Sequence, residues 1–161
     1  MYEFFDGDKT EDSIREFMRS QSLQPKLTTK IVLFGNTGVG KSLLSNMMIA
    51  ALLAGVNNAT DSNAAPPLHA TLPQDPFHHE TGADSVTFAC ERALIYNKSN
   101  SANASSRSIL VYNIPGLIEA TEEKLARNKR CLKQAMTELR DECLMAPVMV
   151  LNTQAGRILE K

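Results

Sequence analysis

Apolar and polar positions divide the chain into short strand-like runs and longer helix-like segments. A compact apolar run at residues 30–34 ends at Gly35 and predicts a buried parallel strand. Residues 41–54 are good helix formers that are apolar almost all round, and Gly55 is a C-terminal stop signal. A helix of this kind needs burial against a sheet. The pattern therefore predicts a buried strand followed at once by a buried helix.

The second half of the chain predicts a hairpin, a helix and a further strand. Strand-like segments at 85–96 and 107–112 flank a Ser/Asn-rich turn, and residues 147–151 form another apolar run. Thr121 is a suitable N-cap for the helix between them, with two acidic residues in its first turn. Apolar residues then recur at helical spacings, namely Leu125, Leu132, Met136, Leu139 and Cys143. This order of elements predicts an α/β fold.

Two segments lack a strong pattern. Residues 1–27 are interpreted as a polar leader with a short helix at 12–23, leaving one domain at 28–161. Residues 56–84 are irregular and rich in Asn, Ala, Pro and His, and loops of this length are usually functional or disordered. His69, His78 and His79 lie in that segment without matching Cys or acidic partners, so we interpret it as an exposed loop.

Length, charge and cysteine content limit the classes of protein to which the chain can belong. With 161 residues and a net charge of −1, the chain has the length of one domain and no electrostatic footprint for nucleic acid. The acidic start differs from a signal peptide, and no apolar run approaches the roughly 20 residues of a membrane span. Three cysteines without metal spacing are typical of reduced thiols, so we expect a cytoplasmic protein.

One motif carries the chemistry. Residues 35–42 match the phosphate-binding loop Gly-x4-Gly-Lys-Ser, and the match lies between a predicted strand and a predicted helix. The glycines permit tight turns and close backbone approach, so N–H groups at the helix N-terminus can surround phosphates. The predicted nucleotide-binding residues here are Gly35, Asn36, Thr37, Gly38, Val39, Gly40, Lys41 and Ser42. Lys41 supplies positive charge to the β- and γ-phosphates, and the Ser42 hydroxyl suits Mg²⁺.

A second phosphate motif follows the strand at 107–112. Gly116 can turn its N–H toward a γ-phosphate, but Asn113 stands where a metal-side Asp is expected. Asn113 keeps an acceptor oxygen and loses the negative charge, which weakens support for Mg²⁺. The alternative is a plain turn after a strand. Thr87 is the first choice for a further Mg²⁺ hydroxyl, with Thr81 second, and a strand threonine without a ligand is the alternative.

Residues 35–42, 85–87 and 113–117 together resemble the immune-associated nucleotide-binding GTPases, which are related to septins within the translation-factor-like class. That family's second motif usually reads Asp-Thr-Pro-Gly-Leu. The chain matches it at Pro115, Gly116 and Leu117 and differs at Asn113 and Ile114. Residues 156–160 are similar to the family's Gly-Arg box, with Leu in place of a usual Thr.

The resemblance implies a three-layer P-loop NTPase, a G-domain-like fold with a mostly parallel sheet. It also implies GTP and GDP as ligands, Mg²⁺ as cofactor, slow hydrolysis and self-association through the nucleotide face. The sequence ends at Lys161, before the Thr/Asn-Lys-x-Asp element that reads guanine, so we expect C-terminal strands of the G domain to be missing. The strand at 147–151 would then be an exposed edge open to self-association.

Alternatives remain for the function. An ATP-using P-loop enzyme would share the motif at 35–42. A degenerate G domain that acts as an interaction module would account for Asn113 in place of Asp. Because Asn113 lacks a charge and no Gln follows Gly116, the sequence leaves GTP hydrolysis itself open.

Overall fold

The computed structural model describes residues 1–58, 76–78, 89–96, 108–117, 121–140 and 145–151. Within these ranges the chain has an α/β fold with a mixed five-stranded sheet and three α-helices. The strands are β1 (Tyr2–Phe5), β2 (Thr29–Phe34), β3 (Glu91–Tyr96), β4 (Ser108–Asn113) and β5 (Met145–Met149). The helices are α1 (Glu11–Ser20), α2 (Lys41–Asn58) and α3 (Glu122–Leu139). Among the described residues, none of the helices has the length and apolar character of a membrane span.

The strand order is β1-β3-β4-β2-β5. Strand β2 runs parallel to both β4 and β5, whereas β3 is antiparallel to both β1 and β4. The sheet is therefore mixed rather than mostly parallel, because the hairpin β3–β4 and the N-terminal strand add two antiparallel pairs. The predicted hairpin is confirmed, and its register sets Glu91 directly opposite Asn113.

Helices cover both faces of the sheet, giving three layers. Alternation along β4 sends Leu110 and Tyr112 to one face and Ile109 and Val111 to the other. The first face packs against α1 and α3 through Ile14, Phe17, Met18, Leu132, Ala135 and Leu139. The second packs against α2 through Leu44, Met48, Ile49, Leu52 and Leu53. Burial on both faces is what the nearly continuous apolar strands predicted.

The N-terminal residues add an edge strand and a helix to this fold. Strand β1 pairs with β3, and Phe5 at its end is buried. Helix α1 begins after Thr10, whose side chain accepts a hydrogen bond from the Ser13 N–H at 3.2 Å. Ile14 and Met18, one turn apart, then enter the core. Residues 1–27, interpreted from sequence as a polar leader, thus contribute apolar side chains to the main core.

The long helices differ in detail from the sequence predictions. Helix α2 continues through Gly55 to Asn58 instead of ending at the glycine. Helix α3 begins at the predicted N-cap, since the Thr121 side chain accepts from the Lys124 N–H at 3.3 Å. Its buried face includes Ala135, whereas Met136 is 38% exposed. The predicted apolar stripe is therefore wrong at that position, and the smaller neighbour packs on the sheet.

A buried ion pair fastens α3 to the sheet. The Arg92 side chain on β3 is fully buried, and its Nη2 lies 2.6 and 2.7 Å from the two carboxylate oxygens of Glu138. Its Nη1 donates to the Lys9 carbonyl at 3.0 Å, and the guanidinium lies 5.6 Å from the centre of the Tyr112 ring. This one side chain thus connects β3, α3 and the segment before α1.

Candidate functional site

The predicted phosphate loop connects the end of β2 to the start of α2. Gly38 and Gly40 have φ angles of 76° and 89°, a region that only glycine adopts without strain. The Leu44 N–H donates to the Gly40 carbonyl at 2.9 Å, so the first helical turn begins at the loop itself. The free backbone N–H groups and the positive end of the α2 dipole therefore lie at the loop, as at other helix N-termini.

Two side chains of the loop are held at its base. Lys41 is 6% exposed, and its Nζ donates to the Asn36 carbonyl at 2.9 Å. The Lys41 side chain therefore folds back over the loop and connects its last part to Asn36 near its start. Ser42, the next residue, is 8% exposed and points toward the end of β4.

Gly116 packs directly against the phosphate loop. A Cβ atom at this residue would overlap Thr37 Oγ1 and lie 2.5 Å from the Thr37 backbone nitrogen, so no larger residue fits without movement. The neighbouring Leu117 N–H donates to the Gly35 carbonyl at 3.1 Å. The two motifs singled out in the sequence, separated by about seventy residues, are therefore in backbone contact.

Asn128 on α3 holds the second motif, residues 113–117, through a side-chain hydrogen bond. Its Nδ2 donates to the Gly116 carbonyl at 2.9 Å, and the side chain is 4% exposed. Sequence reasoning missed this residue. A signal was present, because Asn128 lies three residues after Leu125 and four before Leu132, on the stripe where an apolar residue is expected.

The end of β4 meets the start of α2 through a pair of polar side chains. Asn113 is fully buried, and its Nδ2 donates to Ser42 Oγ at 3.1 Å. The Ser42 hydroxyl in turn lies 3.5 Å from Asn113 Oδ1. The two residues predicted for the metal side of the site are thus brought together. Thr87 and Thr81, the other hydroxyl predictions, lie outside the described residues.

The same amide of Asn113 also contacts a carboxylate that sequence reasoning missed. Asn113 Nδ2 donates to Glu91 Oε2 at 3.1 Å. The pKa of the Glu91 carboxyl is raised, mainly by burial. The hydrogen bond from Asn113 and the nearby His78 offset part of this increase. The signal for Glu91 lay in the hairpin register, which depends on how residues 97–107 connect the two strands and cannot be counted from either strand alone.

A short segment before β3 is anchored beside the site. The side-chain amide of Asn46 on α2 donates to the Phe77 carbonyl at 2.8 Å and accepts from the Phe77 N–H at 3.1 Å. Phe77 is fully buried and lies 5.8 Å, edge to face, from Phe4. His78 is exposed, as predicted for this loop. His69 and His79 lie outside the described residues.

The donor set suits magnesium bound together with phosphate. Ser42, Asn113 and Glu91 offer hydroxyl, amide and carboxylate oxygens, which are the hard ligands that Mg²⁺ prefers. Among the described residues there is no group of three or more His, Cys, Asp or Glu able to hold a metal alone. Mg²⁺ commonly uses one or two protein groups with waters and substrate phosphates, and this arrangement fits that mode.

Comparison of the chain with protein-family models, with curated proteins and with solved structures finds no match.

Proposed function

We propose that the chain binds GTP with Mg²⁺ through residues 35–42, as part of a G-domain-like P-loop NTPase fold. The observation that carries the proposal is the packing of Gly116 on Thr37. A glycine-rich turn that merely connected β2 to α2 would need no second turn against its backbone. A nucleotide site needs one, because the γ-phosphate is held between a phosphate loop and a second strand end.

Each group then has a defined task. Backbone N–H groups at the α2 N-terminus surround the phosphates, and the Lys41 ammonium exchanges the Asn36 carbonyl for phosphate oxygens. The Gly116 N–H contributes at the γ-phosphate. Ser42 and Asn113 face the metal side. When bound, Mg²⁺ neutralises phosphate charge.

Binding without rapid turnover is the expected behaviour. The Asn113 amide donates to both Ser42 and Glu91, so it braces protein atoms rather than offering a charge to the metal. Leu117 follows Gly116, where some nucleotide switches place a Gln that orients the attacking water. We therefore propose a switch or assembly module with slow hydrolysis. A nucleotide-free interaction module is the second candidate, favoured by the uncharged Asn113.

Guanine specificity rests on the resemblance of the two phosphate motifs to the immune-associated nucleotide-binding GTPases. GTP, GDP and Mg²⁺ are ligands of the cytosol, and the described cysteines, Cys90 and Cys131, form no disulfide, so the proposal places the chain in the cytoplasm.

We also propose that the chain self-associates, with a second copy of the same chain as its partner. Strand β5 pairs with β2 and has no strand on its other side among the described residues. Met149 and Leu151 are 60% and 76% exposed there. An apolar edge with unpaired backbone groups is a template for pairing with another strand.

Fluorescent GTP analogues test the ligand class. Titration with an N-methylanthraniloyl GTP analogue in Mg²⁺ should give saturable binding that unlabelled GTP and GDP reverse. Displacement by ATP at the same concentrations would indicate an ATP-using enzyme instead. If neither GTP nor ATP shows saturable binding, the nucleotide-free interaction module is the function that is left.

A further inference from the structure

We propose that Glu91 supplies the negative charge on the metal side of this site, facing the hydration shell of Mg²⁺ in place of the carboxylate that position 113 lacks. The inference rests on the proposed nucleotide site. It assigns a specific role in that site to a residue on a different strand from the phosphate motifs.

The sheet topology puts Glu91 at the correct end of the fold. Glu91 is the first residue of β3 and pairs with Asn113, the last residue of β4. Side chains of directly opposed residues project from the same face of an antiparallel pair and lie next to each other. Since β4 runs parallel to β2, the end of β4 lies beside the end of β2, where the phosphate loop begins. Glu91 thus reaches the site because its strand runs the other way.

The hydrogen bonds put Glu91 one amide group away from the Ser42 hydroxyl. Asn113 Nδ2 lies 3.1 Å from Ser42 Oγ and 3.1 Å from Glu91 Oε2. A carboxylate at this distance is suited to accept hydrogen bonds from water on a metal that Ser42 binds, a contact that is shorter and stronger than one between neutral groups. The negative charge that Asn113 lacks is therefore available from Glu91, the residue opposite it.

The carboxylate of Glu91 lacks a Lys or Arg ion-pair partner in the described part of the chain. The residue is half-buried. Its carboxylate accepts one hydrogen bond there, from Asn113. A partly buried carboxylate is costly unless it is paired or coordinates a metal. A divalent cation beside this carboxylate would offset that cost.

Glu91→Gln separates charge from positioning. The Gln carbonyl oxygen can still accept from Asn113, so the geometry of the end of β4 is kept while the negative charge is lost. Mn²⁺ serves as a paramagnetic probe of the Mg²⁺ position. Its binding in the presence of a slowly hydrolysed GTP analogue is followed by electron paramagnetic resonance on the wild-type chain and on each variant.

We expect E91Q to weaken Mn²⁺ binding by about 10- to 100-fold, the usual effect of removing a group that supports bound metal. In EDTA the unfolding temperature should not fall, because the variant keeps the hydrogen bond from Asn113 and removes a partly buried charge that no metal then offsets. Glu16→Gln, which removes the same charge from the exposed face of α1, should bind Mn²⁺ like the wild type. The double variant E91Q/N113D returns a carboxylate to the pair with the hydrogen bond reversed, and it should recover most of the lost affinity.

Two results would overturn the role of Glu91. One is an E91Q variant that binds Mn²⁺ and nucleotide like the wild type. The other is a double variant as weak as E91Q, since the loss would then not depend on charge. A wild-type chain that binds no nucleotide with any metal would instead contradict the proposed function, so the two failures are distinguishable.

Discussion

The side-chain amide of Asn128 holds the carbonyl of Gly116 at 2.9 Å, although Asn128 lies on the buried face of α3 with Ala135 and Leu139. Gly116 in turn lies against Thr37 of the phosphate loop. Helix α3 therefore determines where the second phosphate motif sits relative to the first. The site is a product of packing on both faces of the sheet, not of the loop alone.

Gly116→Ala tests the contact between the two motifs. The added methyl group would overlap Thr37 Oγ1 and the Thr37 nitrogen, so the phosphate loop or the turn must move. We expect nucleotide affinity to fall by at least tenfold, because backbone donors have to reach the phosphates within hydrogen-bond range. Titration with the fluorescent GTP analogue measures this. Gly40→Ala makes an informative companion, since its added methyl group would meet no atom within 4 Å and the cost there comes from the positive φ.

Asn128→Ala tests the support from α3. The variant leaves the buried Gly116 carbonyl without this donor, and an unsatisfied buried acceptor costs about 1–3 kcal/mol. Urea unfolding should show a loss of that size, together with weaker GTP binding. Arg130→Ala on the exposed side of the same helix should change neither quantity. A stable Asn128→Ala variant with unaltered binding would mean that α3 does not position the motif.

Glu138→Gln tests the buried ion pair. The change leaves the Arg92 guanidinium charged and fully buried, and breaking such a pair costs about 3–5 kcal/mol. The free energy of unfolding should fall accordingly. Replacing both partners with apolar residues, Arg92→Met with Glu138→Leu, should recover much of the loss because no buried charge is left. Equal destabilisation by both variants would show that packing rather than charge pairing dominates here.

Met149→Lys tests the exposed edge at β5. Lysine on an edge strand disfavours pairing with another strand. We expect this variant to lower the apparent mass that light scattering measures for the wild type. Met47→Lys is the matched control, since Met47 on α2 is 61% exposed and Met149 is 60% exposed. An identical decrease in both variants would mean that general charge, and not the strand edge, controls association.

Local chemistry explains which parts of the fold the sequence could predict. The glycine-rich loop, the hairpin and the Thr121 cap each depend on a few adjacent residues, and all three are found in the structure as regular features. Strand β1 was not anticipated because four residues with two exposed positions show no clear period until they pair with β3. That pairing adds a second antiparallel pair to the one that the hairpin of β3 and β4 already forms.

The candidate site shows the same division. Ser42 and Asn113 were predicted because each belongs to a motif at a strand or helix end. Glu91 and Asn128 were not, because each reaches the site through a register or packing relationship between distant segments. Met136 was assigned to the core where Ala135 is buried, since spacings of three and four allow either choice before the sheet is known.

If residues 35–42 bind nucleotide phosphates, Lys41→Ala should abolish most of that binding. Lys41 carries the charge of the loop, and its ammonium group donates a hydrogen bond to the Asn36 carbonyl. Isothermal titration with Mg²⁺ and a slowly hydrolysed GTP analogue should show binding to the wild-type chain and a loss of about 100-fold or more in the variant, because the charge-assisted hydrogen bonds to phosphate are removed. Lys129→Ala, on the exposed face of α3, should titrate like the wild type. Equal affinity of Lys41→Ala and the wild-type chain would contradict the assignment of this loop as a phosphate site.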